Sequence, residues 1–195
     1  TYRARPHGAG LLYAKECPRR GGDTMFANQY LAYESLSPGL RRMLEGLNAV
    51  HSSAMDYGDE AARFAAVTKD HVPDSGDRKF SNATYSRPDE LEIEENLHPV
   101  VRVHPDSGRK HLFVNRGFTT RFENMTKEES APLLEYLWQH ACRPEFTCRF
   151  RWHQHAVVLW DNRCTHHYAL NDYYGERRVM HRVAVHEELG QGTLQ

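Results

Sequence analysis

Apolar and polar positions alternate in short runs near the start of the chain, and this pattern predicts strands before any helix. Leu11 to Glu16 and Thr24 to Asn28 have strand character, and a turn rich in glycine and charge separates them. Helical spacing then runs from Asn28 to Leu36. Ser37 followed by Pro38 predicts the start of a second helix, because serine is a good N-cap and proline suits the first helical position.

Five further runs have strand character: residues 100–103, 111–115, 146–152, 156–160 and 179–185. A Pro-Asp-Ser-Gly turn joins the first two into a predicted hairpin. The run at 156–160 is entirely apolar, which is typical of a strand buried on both faces. Thr126 opens a helix, because Thr-Lys-Glu-Glu has the form of a capping box. Many strands with two or three helices predict a mainly β fold, a β-sandwich or jelly roll flanked by a few α-helices.

The stretch from about residue 51 to residue 96 differs from the rest of the chain. It is polar, charged and poor in apolar periodicity, and it is too long for a simple connection in a compact domain. We therefore expect a flexible or lid-like insertion with a short helix near residues 60–67. The remainder of residues 1–195 is predicted to form a single domain.

Composition narrows the classes of function. The chain has 195 residues, 39% of them hydrophobic and 26% charged, and a net charge of −1. That balance lacks the basic excess typical of nucleic-acid binding. No apolar stretch is long enough to cross a membrane, and no signal peptide opens the chain. The four cysteines form no Cys-x-x-Cys pair, so we expect reduced thiols in a cytoplasmic protein.

The densest polar segment, residues 160–169, lies between two predicted strands. Ligands often bind where strand ends converge. His167 offers an imidazole to a metal, and Arg178 and Arg182 would share one strand face because they are four residues apart. Two guanidiniums there would bind two anionic groups. On these residues alone, a structural histidine and a solvated arginine pair remain the simpler interpretation.

Five motifs favour the functional interpretation of these residues, because they resemble motifs of the taurine dioxygenase (TauD/TfdA) family and occur in the same order as in that family. They are GGDT at 21–24, HPVVR at 98–102, LFVN with GFTTR at 112–121, WDNR with the following TxHYA at 160–169, and RRVMHR at 177–182. One match would be weak, but five in order with plausible spacing are specific. The motifs cover nearly the whole chain.

The resemblance implies a double-stranded β-helix, or jelly roll, that binds Fe(II) and uses 2-oxoglutarate and O2. In the family, an early His-x-Asp and a late histidine hold the iron. His167 matches the late ligand, whereas the His-x-Asp is expected just upstream of Thr1. The chain would then be an N-terminally incomplete domain, the C-terminal two-thirds. His104 to Asp106 is no substitute, because it lies on the predicted hairpin turn, where side chains splay toward solvent.

The same resemblance assigns roles to four other residues. Arg178 and Thr24 match residues that bind the distal carboxylate of 2-oxoglutarate. Arg182 matches the residue that binds the anionic group of the primary substrate, and Phe118 would line that pocket. The implied oxidoreductase hydroxylates a small anionic compound, best a sulfonate such as taurine with release of sulfite, and forms a homo-oligomer, a dimer or tetramer.

Other functions stay open at this point. Phenoxyalkanoate and alkyl sulfate dioxygenases share much of the framework. Two alternatives belong to other functional classes. One is a catalytically dead, anion-binding jelly roll that lacks the iron triad, and the other is a metal-independent lyase or isomerase. A His-x-Asp preceding Thr1 would favour the oxygenase.

Overall fold

The computed structural model describes residues 1–54 and 93–186. The predicted helix near 60–67, and with it most of the expected insertion, lies outside these residues. Residues 51–52 belong to one strand and residues 95–96 to another, so strands extend into both ends of the expected insertion.

Strands dominate the described part of the chain. They are β1 (Ala9–Glu16), β2 (Thr24–Asn28), β3 (Asn48–Ser52), β4 (Glu95–Pro99), β5 (Val101–Val103), β6 (Lys110–Leu112), β7 (Thr119–Phe122), β8 (Thr147–Phe150), β9 (Val157–Asp161), β10 (Thr165–Ala169) and β11 (Val179–Val185). The α-helices are α1 (Gln29–Glu34), α2 (Pro38–Leu44) and α3 (Lys127–Ala141), and a short 3₁₀ helix follows at Pro144–Phe146. None of the described helices combines the length and apolarity that a bilayer crossing requires.

Side-chain caps start the helices, and the caps at Ser37 and Thr126 are those that the sequence predicts. The Asn28 side chain accepts hydrogen bonds from the first backbone amides of α1, and Ser37 does the same for α2. At α3, the Thr126 hydroxyl accepts from the Glu129 amide, and the Glu129 carboxylate accepts from the Thr126 amide. These bonds satisfy amides that have no partner within a helix, so each helix starts at a defined residue.

Two three-stranded antiparallel sheets face each other, one in the order β11-β1-β9 and the other in the order β10-β2-β8. Buried Ala14, Trp152 and Ala156 form the small core between them. The ring of Trp160 on β9 lies 5.6 Å from that of Phe26 on β2, centroid to centroid. Two facing antiparallel sheets are the arrangement expected of a jelly roll.

The larger core lies beside these two sheets. Sheet β4-β3-β7 and hairpin β5-β6 pack with the helices around a cluster of buried apolar side chains. Phe122, Leu44 and Leu134 are among its fully enclosed members. The hairpin predicted around the Pro-Asp-Ser-Gly turn is confirmed, because Val101 pairs with Leu112.

One expectation about the site region was wrong. Strand β9 is not buried on both faces, because Val157 and Leu159 are 57% and 65% exposed, whereas Trp160 packs inward. The polar segment after it contains a further strand, because residues 165–169 form β10 and pair with β2. Cross-strand pairing therefore decides which side chains of this segment point between the sheets.

Candidate active site

Strands β2 and β10 bring Thr24 and His167 onto one face of their sheet. His167 lies opposite Phe26, and Ala169 lies opposite Thr24. Directly opposed residues share a face, and every second residue of a strand returns to it. Because Phe26 contacts Trp160 of the facing sheet, this face is the inner one. His166, opposite Ala27, points to the other side.

The facing sheet carries the two arginines. Arg178 immediately precedes β11, and Arg182 lies opposite Leu12 of β1. Met180, two residues before Arg182, packs into the core between the sheets, so the alternation of β11 turns Arg182 inward. The positive charge of Arg182 also contributes to the low pKa of His167. Arg182 therefore lies near His167, and Arg178 immediately precedes the same strand.

His167 is held as a neutral imidazole. The residue keeps part of its surface open to solvent, but desolvation of the ring by the surrounding side chains, with a further contribution from Arg182, lowers its pKa to about 4. Its ring centroid lies 4.8 Å from that of Trp160. The indole of Trp160 packs against Gly10, and a Cβ atom on Gly10 would come within 2.4 Å of that indole. A neutral imidazole with a fixed ring is the form that binds metal ions.

One hydrogen-bond donor of Arg178 has no acceptor in the described part of the protein. Its Nε donates to the Gly22 carbonyl at 3.0 Å, whereas its Nη2 is buried without a hydrogen-bond partner. Burial lowers the pKa of Arg178. A buried donor without an acceptor is costly, and the planar guanidinium matches a carboxylate well. The residue therefore fits the carboxylate of a bound dicarboxylic acid.

Thr24 lies near the Gly22 residue that binds Arg178, and its hydroxyl group can donate a hydrogen bond. The residue is 3% exposed, and its Oγ1 accepts a hydrogen bond from Trp152 Nε1 at 2.9 Å. A threonine hydroxyl can accept and donate at once, so the O–H stays available for an acceptor between the sheets. Gly22, which binds Arg178, is only two residues away.

Phe118 lies on a different part of the fold. It is half-buried just before β7, and its ring packs 5.3 Å from that of Tyr2. Its carbonyl accepts from the Ser52 amide at 2.8 Å. None of these contacts joins Phe118 to His167 or Arg182, so its role at a substrate pocket stays a prediction.

Among residues 1–54 and 93–186, a single group has three potential ligand atoms within 4.8 Å of one another: His104, Asp161 and Cys164. It does not include His167. His104 Nδ1 accepts from two backbone amides at 3.2 Å, so Nε2 carries the hydrogen and donates to Asp161 at 2.8 Å. No lone pair of that ring is left for a metal, and the group is better described as a hydrogen-bond network.

Arg163 completes this network. Burial alone would raise the pKa of Asp161, but hydrogen bonds from Arg163 and His104 lower it to about 2. The expectation that His104 splays toward solvent was wrong, since it is 4% exposed. The network ties the turn between β9 and β10, which leads into His167, to the 104–109 hairpin.

The ion pairs beside Thr24 were not predicted from the sequence. Arg149 on β8 donates to Asp23 at 2.6 Å and to Asp172 at 3.3 Å. Asp172 belongs to the loop that leads to Arg178. The adjacency of Asp23 to Thr24 was visible, but the partners are more than 120 residues away in the chain.

Known proteins resemble this chain in sequence. A family model described as "Taurine catabolism dioxygenase TauD, TfdA family" matches residues 1–184. An alkylsulfatase of Acinetobacter baylyi is 37% identical over 90% of this chain and 51% of its own length. The chain thus spans about half the length of the curated relatives it matches.

Solved structures agree with the fold. The crystal structure of a taurine dioxygenase from Burkholderia xenovorans has a TM-score of 0.71 at 33% identity, over 94% of this chain and 54% of that one. AAD-2, solved in complex with Mn(II) and N-oxalylglycine, has a TM-score of 0.74 at 27% identity, over 95% of this chain and 66% of that one. The predicted mainly β jelly-roll class is confirmed.

Proposed function

Since the chain belongs to the taurine catabolism dioxygenase TauD, TfdA family, we propose that it acts in an Fe(II)- and 2-oxoglutarate-dependent dioxygenase that hydroxylates a small anionic substrate. One observation carries the proposal. The Nη2 of Arg178 is buried without a partner, and Arg178 immediately precedes the strand that carries Arg182. A bound anion would give that nitrogen the acceptor it lacks.

In this proposal His167 supplies one iron ligand, and the other two come from the His-x-Asp expected before Thr1. The single three-ligand group in the described residues excludes His167, which fits a ligand set completed from elsewhere. Strand β10 is also the edge strand of its sheet, so its free edge could pair with a further segment. Two histidines and one carboxylate would leave positions for cosubstrate and O2.

Arg178 and Thr24 are proposed to hold the distal carboxylate of 2-oxoglutarate. Arg178 would give charge-assisted hydrogen bonds through its free Nη2, and Thr24 would donate its hydroxyl hydrogen. When bound, iron with 2-oxoglutarate and O2 supplies the oxidising chemistry, with succinate and carbon dioxide as products. The protein orients the reactants and excludes water between the two sheets.

Arg182 is proposed to bind the anionic group of the primary substrate, with Phe118 on the wall of the pocket. Four residues of extended chain span about 13 Å, so Arg178 and Arg182 can hold separate anions. The substrate that fits best is a sulfonate such as taurine, whose hydroxylated product would release sulfite. Alkyl sulfates and phenoxyalkanoates are the alternatives, and the similarity to an alkylsulfatase supports the first of these.

A jelly roll that binds anions without iron is the rival from another class. The described residues supply both arginines that it needs, and Arg178 Nη2 lacks an acceptor. Both functions use Arg178 and Arg182, but only the dioxygenase needs a metal at His167. Metal-dependent turnover therefore separates them.

The test is succinate formation from 2-oxoglutarate by the intact protein with Fe(II) and O2. A panel of sulfonates, alkyl sulfates and aryloxy acids gives the substrate class, and sulfite is measured in parallel. We expect one class to stimulate succinate formation. If Fe(II) and every substrate leave 2-oxoglutarate unconsumed although it binds, the anion-binding protein is the better description.

Two general properties complete the proposal. The four cysteines are free thiols, which supports a reducing compartment such as the cytoplasm. A homo-oligomer, dimer or tetramer, is proposed from the family resemblance, and light scattering on the intact protein measures it.

A further inference from the structure

The two loops that lead to Thr24 and Arg178 are bonded to each other. The first joins β1 to β2, and the second joins β10 to β11. Asp172 Oδ1 accepts from the Gly22 amide at 2.7 Å, and the Leu170 amide donates to the Asp23 carbonyl at 2.9 Å. With the bond from Arg178 to Gly22 and the bond from the Arg19 amide to Glu176, four hydrogen bonds cross between the loops.

The second carboxylate oxygen of Asp172 extends the link to a strand. Arg149 on β8 donates from Nη2 to Asp172 Oδ2 at 3.3 Å and from Nε to Asp23 Oδ2 at 2.6 Å. Asp23 is buried and directly precedes Thr24. Arg149 therefore ties both loops to the sheet that carries His167.

The glycines of the first loop are shaped around the second loop. Gly21 and Gly22 have φ angles of 75° and 69°, which side chains disfavour. A Cβ on Gly21 would lie 2.6 Å from Asp172, and one on Gly22 would lie 3.0 Å from the Arg178 side chain. The loops thus approach as closely as glycine allows, and Asp172 lies at the contact.

We propose that Asp172 is a positioning residue for 2-oxoglutarate. By joining the Gly22 amide to Arg149, its carboxylate sets the separation between the Thr24 hydroxyl and the Arg178 guanidinium. The inference rests on the proposed function, in which those two groups bind one carboxylate of the cosubstrate. A carboxylate needs both donors at hydrogen-bond distance at the same time.

The two bonds of Asp172 should contribute unequally. The Asp172 and Arg149 side chains are 42% and 50% exposed, and ion pairs in contact with solvent contribute little. The bond to the Gly22 amide is shorter and part-buried. We expect Asp172→Ala to weaken 2-oxoglutarate binding about tenfold, the effect of losing one charge-assisted bond. Asp172→Asn keeps an acceptor for Gly22 and should stay within about threefold of wild type.

Glu34→Ala is the matched control. Glu34 and its partner Arg109 have side chains 43% and 48% exposed, close to the values for Asp172 and Arg149. The Glu34 pair joins α1 to the 104–109 hairpin and touches neither loop. Loss of an exposed ion pair should affect both variants' stability alike, but only Asp172→Ala should weaken 2-oxoglutarate binding.

The experiment is calorimetric titration of 2-oxoglutarate into the intact protein loaded with Mn(II), followed by steady-state kinetics. For Asp172→Ala we expect a raised Kd and KM for 2-oxoglutarate, an unchanged KM for the primary substrate, and recovery in Asp172→Asn. Should the alanine variant fail to fold, Asp172→Ser replaces it.

Three outcomes overturn the proposal. Wild-type affinity in Asp172→Ala, or an equal loss in Glu34→Ala, removes the positioning role and leaves the proposed function intact. Failure of the wild-type protein itself to bind 2-oxoglutarate defeats both.

Discussion

Replacement of Arg178 by methionine should separate ligand binding from folding. The Nη2 of Arg178 is buried without a partner, and such a donor costs about 1–3 kcal/mol. The bond from Nε to the Gly22 carbonyl offsets about 1 kcal/mol of that cost. We expect Arg178→Met to lower the free energy of unfolding by less than about 1 kcal/mol, or to raise it.

The same substitution should abolish most of the affinity for 2-oxoglutarate. Removal of one partner of a buried, hydrogen-bonded charge pair costs about 2–5 kcal/mol, which corresponds to about 30- to 5,000-fold weaker binding. Calorimetry with Mn(II) and 2-oxoglutarate measures the affinity, and chemical unfolding of the same samples measures the stability.

Arg109→Met serves as the control for this prediction. Arg109 is an exposed arginine on the 104–109 hairpin, paired with Glu34, and its loss should change neither quantity much. Unchanged affinity in Arg178→Met would refute the assignment of Arg178 to the cosubstrate. A fall in unfolding free energy of several kcal/mol would show that Arg178 holds its loop together instead.

Two other predictions concern substrate coupling and acid stability. Arg182→Ala should raise the substrate concentration needed for turnover and spare slow, uncoupled consumption of 2-oxoglutarate; full coupling in this variant, measured as substrate product per succinate, would contradict its role. His51 is fully buried, and burial lowers its pKa to about 3. In the unfolded chain the imidazole is protonated below about pH 6.5, whereas in the folded protein it stays neutral down to about pH 3. Stability should therefore fall as the pH drops from about 6.5 toward 3, by up to about 1.4 kcal/mol per pH unit from this residue. His51→Gln should reduce that slope in urea unfolding, and an unchanged slope would assign it to other groups.

Local patterns were enough to predict the helices and most strands. The capping box at Thr126 and the N-cap at Ser37 depend on a few adjacent residues, so the sequence displays them directly. The hairpin turn near residue 106 is equally local. These predictions succeeded because the energies concerned act between neighbours in the chain.

The errors came from contacts between distant parts of the chain. Strand β10 is polar, and only its pairing with β2 makes it a strand. The outward exposure of Leu159 follows from the packing of Trp160 on Gly10, which no periodicity reveals. The link from Asp172 to Gly22 spans 150 residues. The motifs pointed to candidate site residues, but the mutual orientation of these residues required the sheet register.

The pair His166 and His167 offers the most direct test of the site as a whole. They are neighbours on β10 and point to opposite faces, because His167 pairs with Phe26 and His166 with Ala27. Metal binding and Fe(II)-dependent succinate formation are measured for both alanine variants of the intact protein. We predict that His167→Ala loses both properties and that His166→Ala keeps them. Retention of metal binding in His167→Ala, or its loss in His166→Ala alone, would contradict a metal site between the two sheets.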